Sequence, residues 1–146
     1  KELGIAYVAF SPMGRAFLGG KLQQVDDLVK GDIRATMPRF AAEAYAQNLR
    51  LLAPMQTVAE KADCTLAELA IAWVLAQGEH VIALPGTTKV EHLHEDVRGG
   101  SVKLSAELLA ELDDIFKPEA IAGDRYALQG QGEVDTEKYA FEKRPG

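Results

Sequence analysis

Two short apolar runs constrain the fold more than any other feature of this chain. They are "IAYVAF" at 5–10 and "VIAL" at 81–84. Both are continuous rather than alternating, the pattern of a strand covered on both faces in a parallel sheet. A strand over Ile5–Phe10 and a second over Val81–Leu84 need a long crossover between them, and the intervening sequence is largely helical in character.

"QQVDDLVKGDIRATMPRF" has no clear period and reads as a long loop, a feature that is usually functional inside a compact domain. "AAEAYAQNLRLLAPMQTVAEKA" is helical in composition, with Tyr45, Leu49, Leu52, Ala59 and Ala62 near one face. Pro54 removes a hydrogen bond there and should kink or divide the helix. "TLAELAIAWVLAQG" is the cleanest helix. Thr65 and Glu68 have capping-box spacing, Leu66, Leu69, Ala70 and Trp73 share a face, and Gly78 ends it. "KVEHLHEDV" reads as a short helix, and "KLSAELLAELDDIF" as another, with Ser105 as its N-cap. After Pro118 the period is lost, and residues 124–146 read as a polar, mobile tail.

Strands alternating with helical segments imply βαβ units. Two parallel strands alone make a poor independent domain, because both are open edges. The expectation is therefore a part of a larger α/β sheet or barrel. The opening "KELGIAYVAF", without an initiator Met, fits a processed natural domain and a fragment of something longer alike.

Composition narrows the function classes. With 47% hydrophobic and 26% charged residues the chain is of ordinary globular type. A net charge of −6 with scattered acidic residues argues against nucleic-acid and anionic-membrane surfaces. No apolar window is long enough for a membrane span, and no signal peptide is visible. The single cysteine, Cys64, rules out an internal disulfide and fits a reducing, cytoplasmic setting.

Both strands end in ligand-binding chemistry. The first runs into Ser11-Pro12-Met13-Gly14-Arg15, the second into Gly86-Thr87-Thr88-Lys89 and a helix. Ligands in α/β folds sit beyond the carboxyl ends of strands. Small residues, hydroxyls, a lysine and free N–H groups at a helix start favour an anion, above all phosphate. Arg15, Lys21 and Arg34 add positive charge from the first loop. Two such strand ends suggest a diphosphate or a nucleotide, although no G-x-G-x-x-G or Walker A pattern is present. The same residues also read as a turn and an N-cap, with Lys89 a solvated charge. Chemistry alone leaves both open.

Catalytic constellations are missing. His80, His92 and His94 lack metal-ligand spacing, Cys64 has no base partner, and no serine stands in a nucleophile elbow.

The two long motifs resemble the aldo-keto reductase family. "VAFSPMGRAFLGGKL" is similar to its A-Y-S-P-L-G-R-G-x-L-T-G-K segment, and "LAELAIAWVLAQGEHVIALPGTTKVEHLHED" to its L-A-L-A-W-x-L-x-x-x-x-V-x-P-I-P-G-T-T-K-x-x-H-L-x-E-N segment. The resemblance implies a (β/α)₈ TIM barrel and NADP as cofactor. It makes residues 1–123 the C-terminal portion of such a barrel, with Ile5–Phe10 as strand seven and Val81–Leu84 as strand eight. The earlier strands would lie upstream, so that the chain needs the N-terminal barrel part or self-association to cover its core.

The resemblance also implies roles. Phe10 takes the place of an aromatic that stacks on nicotinamide. Ser11, Pro12, Met13, Gly14 and Arg15 fall on the pyrophosphate turn, with Lys21 and Arg34 at basic positions above it. Gly86, Thr87, Thr88 and Lys89 fall at the adenosine phosphate, where Lys89 and His92 would favour NADP over NAD. His92 stands where the family has Arg or Gln against adenine, and Glu95 matches a carboxylate that accepts from the adenine amino group. Asp96 replaces the usual Asn, and an ionised Asp only accepts. The family's Asp, Tyr, Lys and His tetrad comes from earlier strands, and Tyr7, Tyr45, Tyr126 and Tyr139 do not stand in its motifs. The implied whole enzyme reduces an aldehyde or ketone. The alternatives are a nucleotide-binding regulatory module and a truncated remnant without activity.

Overall fold

The computed structural model describes residues 1–128 and 130. Contacts divide the chain into two units, one of Lys1–Leu22 with Leu52–Ile115, the other of Gln23–Leu51 with the residues from Phe116 onward.

The first unit holds the sheet. Strands β1 (Tyr7–Phe10) and β2 (Val81–Leu84) are parallel, with Tyr7 opposite Val81 and Phe10 opposite Leu84. β2 has the bounds that the family resemblance implies. β1 is shorter than the apolar run, because β2 begins only at Val81 and offers Ile5 and Ala6 no ladder partner. The expectation of two covered faces fails on one side and is met only in part on the other, where Tyr7, opposite Val81, is exposed. Val81 and Ala83 are half-buried on the side that meets α3 (Leu66–Ala76). Val8, Phe10, Ile82 and Leu84, in register on the other side, are exposed.

Helix α3 is the hub, packing against β2, α2 (Leu52–Lys61), α4 (Val90–Gly99) and α5 (Ala106–Ile115). Apolar on nearly every side, it behaves as a buried helix should. Ala67, Leu69, Ala70, Ile71, Ala72 and Val74 are all buried. Its capping box forms as the Thr65/Glu68 spacing predicts. The Glu68 N–H donates to Thr65 Oγ1 at 3.2 Å, and the Thr65 N–H donates to Glu68 Oε2 at 2.9 Å. Trp73 is half-buried and donates from Nε1 to Asp113 of α5 at 2.8 Å. Ser105 caps α5 through the Leu108 N–H, and Leu112 is completely buried.

Gly99 lets α4 approach the backbone of α3. A Cβ at that position would lie 3.0 Å from both Glu68 O and Ile71 Cβ, closer than most side-chain contacts. This approach turns Gly99 and Asp96 inward and leaves Val90, Leu93 and Val97 exposed.

The second unit carries the long loop as a chain of 3₁₀ turns at Val25–Asp27, Ile33–Thr36 and Pro38–Phe40, then α1 (Ala42–Asn48). The expected long helix is divided, as Pro54 predicts. A 3₁₀ turn at Leu49–Leu51 separates α1 from α2, and Pro54 falls in the first turn of α2, where its missing N–H costs nothing. Phe40 and Tyr45 stack with centroids 5.5 Å apart. The Asn48 amide donates to Ala122 O at 2.9 Å and accepts from its N–H at 2.8 Å, an anchor that helical periodicity could not reveal. The tail beyond residue 130 lies outside the described residues.

Candidate nucleotide-binding site

Because Phe10 and Leu84 are register partners, the chain leaves both strands at the same end of the sheet. The loop from Ser11 and the loop from Pro85 therefore start side by side.

The first loop is tightly wound. Ser11, Gly14, Arg15 and Ala16 all have positive φ, at 51°, 55°, 57° and 67°. Left-handed backbone is unfavourable for residues with a Cβ and concentrates at ligand-binding turns. Local bonds hold it, from the Gly14 N–H to Ser11 O and from the Leu18 N–H to Met13 O. Pro12 is buried and Met13 half-buried. Gly20, at φ 68°, ends the turn where a Cβ would meet Leu66 Cδ1 at 2.8 Å.

Across from it, Gly86, Thr87, Thr88 and Lys89 are all exposed. Thr87 Oγ1 accepts from the Lys89 N–H at 3.2 Å, so the local turn forms. Lys89 is the N-cap of α4, and no side chain caps that end. The first N–H groups of α4 and the positive end of its dipole face outward with a lysine beside them.

Beside the first loop, and lined by none of Gly86, Thr87, Thr88 and Lys89, opens a cleft of about 470 Å³. Met13, Ala16, Gly19 and Lys21 line it from the loop, Gln56 from α2, Cys64 to Ala67 from the start of α3, and His92 and Glu95 from α4. Lys21 Nζ lies 3.2 Å from His92 Nε2, bridging the loop to α4. An ammonium only donates, so this contact requires an acceptor lone pair on Nε2. His92 and Glu95 are three residues apart on one helical face, whereas His94 points elsewhere and is exposed. Glu95 Oε1 accepts from the Thr65 hydroxyl at 2.7 Å. The cleft thus offers one ammonium next to an imidazole, with a carboxylate on the same helical face. That donor set suits a ligand that carries a phosphate close to an aromatic base with an exocyclic N–H.

Sequence reasoning missed Gln56, Cys64 and Thr65 as parts of the cleft. Thr65 carried a signal, its capping position, but as a structural residue. Nothing in the period of α2 singles out Gln56. Burial, then the carboxylates of Glu68 and Asp63, push the Cys64 thiol up, which makes it a poor nucleophile.

Asp96 stands apart from the cleft. It is 7% exposed, and neither carboxylate oxygen has a hydrogen-bond partner. Burial, reinforced by Glu95, raises its pKa. The folded state then holds the proton more tightly than the unfolded chain. Stability from this group is full below the unfolded pKa and is lost as pH rises through the folded one. Asp96→Asn should remove that loss and add about 1–2 kcal/mol near neutral pH. Denaturant midpoints measured from pH 4 to 7 check it. An unchanged pH profile would exclude Asp96 as the source.

Arg34 belongs to the second unit. Its guanidinium grips Asp32, with Nε to Oδ1 at 3.0 Å and Nη2 to Oδ2 at 2.7 Å. These hydrogen bonds hold the Asp32 carboxyl down at about 2. Among the described residues no cluster of metal-ligating side chains occurs, and no helix is long and apolar enough to cross a membrane.

The profile of the Aldo/keto reductase family matches residues 1–117. The chain belongs to the aldo/keto reductase family. It is 37% identical over 136 residues to the aldo-keto reductase str7 of Strobilurus tenacellus, a match covering 93% of this chain and 40% of that protein. To a probable aldo-keto reductase 1 of Glycine max it is 40% identical over 126 residues, covering 86% of this chain and 36% of the relative. The chain therefore spans 40% or less of the length of these curated relatives. Among solved structures, it resembles a thermostable aldo-keto reductase crystallised with the inhibitor epalrestat. The TM-score is 0.50 at 24% identity, covering 78% of this chain and 31% of that one. Family and fold likeness together give this chain a TIM-barrel-type α/β fold.

Proposed function

We propose that these residues form the cofactor-holding, C-terminal portion of an NADP-dependent aldo-keto reductase barrel, with β1 and β2 as its seventh and eighth strands. The observation that carries this reading is the cleft at the strand ends, where Lys21, His92 and Glu95 converge beside the uncapped start of α4.

In this reading Lys89 and Lys21 take the 2′-phosphate, with Thr87, Thr88 and the first N–H groups of α4. The wound backbone at Ser11, Gly14 and Arg15 receives the pyrophosphate. His92 lies against adenine, and Glu95 accepts from its amino group. Phe10, half-exposed on the open sheet face, offers its ring to the nicotinamide. The reduced cofactor supplies a hydride for an aldehyde or ketone when bound. These residues hold and orient it. The proton donor comes from the tetrad-bearing part of the barrel, so this portion alone is expected to bind without turnover.

Fluorescence titration tests the reading. NADPH should saturate the chain at micromolar concentrations, at least about a hundredfold tighter than NADH, a difference of about 3 kcal/mol for the two lysine contacts to the extra phosphate. No saturation by millimolar NADPH would overturn it. Reduction of 4-nitrobenzaldehyde by this chain alone would show the catalytic groups misassigned.

A further inference from the structure

The capping box of α3 has one bond that helix capping does not explain. Thr65 Oγ1 accepts from the Glu68 N–H. A hydroxyl that accepts there keeps its hydrogen for another partner, and that partner is Glu95 Oε1 at 2.7 Å. The cap thereby directs an O–H bond across the cleft floor to α4. A second link closes the circuit. Arg98, three residues beyond Glu95, donates from Nε to Glu68 Oε1 at 2.6 Å. Burial opposes ionisation of Glu68, but the Thr65 N–H and the Arg98 guanidinium outweigh it and hold its carboxyl below the usual range. Glu68 is thus a fixed acceptor, Thr65 a fixed donor, and α4 is braced to the start of α3 at two points.

The consequence falls on Glu95. One of its oxygens is engaged, and the other, Oε2, makes no hydrogen bond among the described residues. A glutamate on a helix surface normally samples many rotamers. This one is held in a single orientation in the wall of the cleft, with an acceptor to spare.

We propose that Thr65 is a positioning residue that sets the base selectivity of the cleft through Glu95. The inference rests on the nucleotide reading above. Adenine carries a 6-amino group that donates to a carboxylate. Hypoxanthine carries a 6-oxo group that accepts, and two acceptors repel. An anchored Glu95 therefore discriminates between the two bases, while an unanchored one swings aside from the oxo group and gives up part of its grip on the amino group.

NADPH and its hypoxanthine counterpart are titrated by nucleotide fluorescence against wild type and variants. Wild type should prefer the adenine form. Thr65→Val should cut that preference about fivefold, and Thr65→Ser, which keeps the hydroxyl, should hold it within about twofold. In a Glu95→Gln background, Thr65→Val should not change the ratio further, while still lowering the thermal midpoint through loss of the cap. A merely structural role would weaken both nucleotides alike, and that result would overturn the assignment while leaving the nucleotide site in place. Failure of wild type to bind either nucleotide would overturn both.

Discussion

Replacing Lys21 and Lys89 together by glutamate should weaken NADPH binding by two to three orders of magnitude. Lys89 begins α4, and Lys21 reaches His92 one turn further on. Both side chains are exposed, so folding should change by no more than about 0.5 kcal/mol. Each charge-assisted bond to a phosphate contributes about 1.5–3 kcal/mol, and reversal adds repulsion to its loss. The two together exceed about 3 kcal/mol, or more than a hundredfold. NADH, which lacks the 2′-phosphate, should lose far less. Equal losses for the two cofactors in parallel titrations would move the lysines away from that phosphate. A high-salt series gives a second check, since wild-type affinity should fall with ionic strength and the double variant should respond little.

The second large effect concerns association. Val8, Phe10, Ile82 and Leu84 present an apolar sheet face to solvent, with Ile82 and Leu84 51% and 55% exposed. Val90, Leu93 and Val97 of α4 add an exposed stripe. Each such side chain gains about 1.5–3 kcal/mol when fully buried, and both strands offer hydrogen-bonding edges. On its own at tens of micromolar the chain should sediment as oligomers. Ile82→Lys with Leu84→Lys should shift it to monomer, weakening association at least about a hundredfold. A single monomeric species for wild type throughout that range would defeat the prediction. An upstream barrel portion added in trans should compete with self-association, as expected if the same face is the barrel interior.

How far the fold was legible depended on whether a feature is local. β2, the Thr65–Glu68 capping box, the Ser105 cap and the division of the helix near Pro54 all follow from residues within a few positions of each other. So does the presence of His92 and Glu95 on one face of a helix. The failures come from partners distant in sequence. The apolar run at 5–10 has the composition of a fully covered strand, but the pairing of Tyr7 with Val81 decides where β1 starts. On α4 the apolar stripe points out and a carboxylate points in. The reason is Gly99, whose missing side chain brings that face of the helix onto α3 (the pattern of the helix itself says the reverse). The cleft was legible in Lys21, His92 and Glu95, which lie on the two motifs, whereas Arg15, Arg34 and Lys89 do not line it. Gln56 and Cys64 reach it only because α2 and α3 pass behind the loop.

The contact at Gly99 also gives α4 a mechanical character. The helix is pinned against α3 at its far end, while Lys89, at its uncapped start, stands about 15 Å away along the axis. A rod held this way is a lever with its fulcrum outside the cleft. A tilt of about 4° at the fulcrum carries the tip through about 1 Å, enough to spoil a hydrogen bond to a phosphate. Arg98 and Thr65 act as stays that resist the tilt. On the nucleotide reading proposed above, sequence drift around the fulcrum would reach the phosphate without touching a residue that binds it.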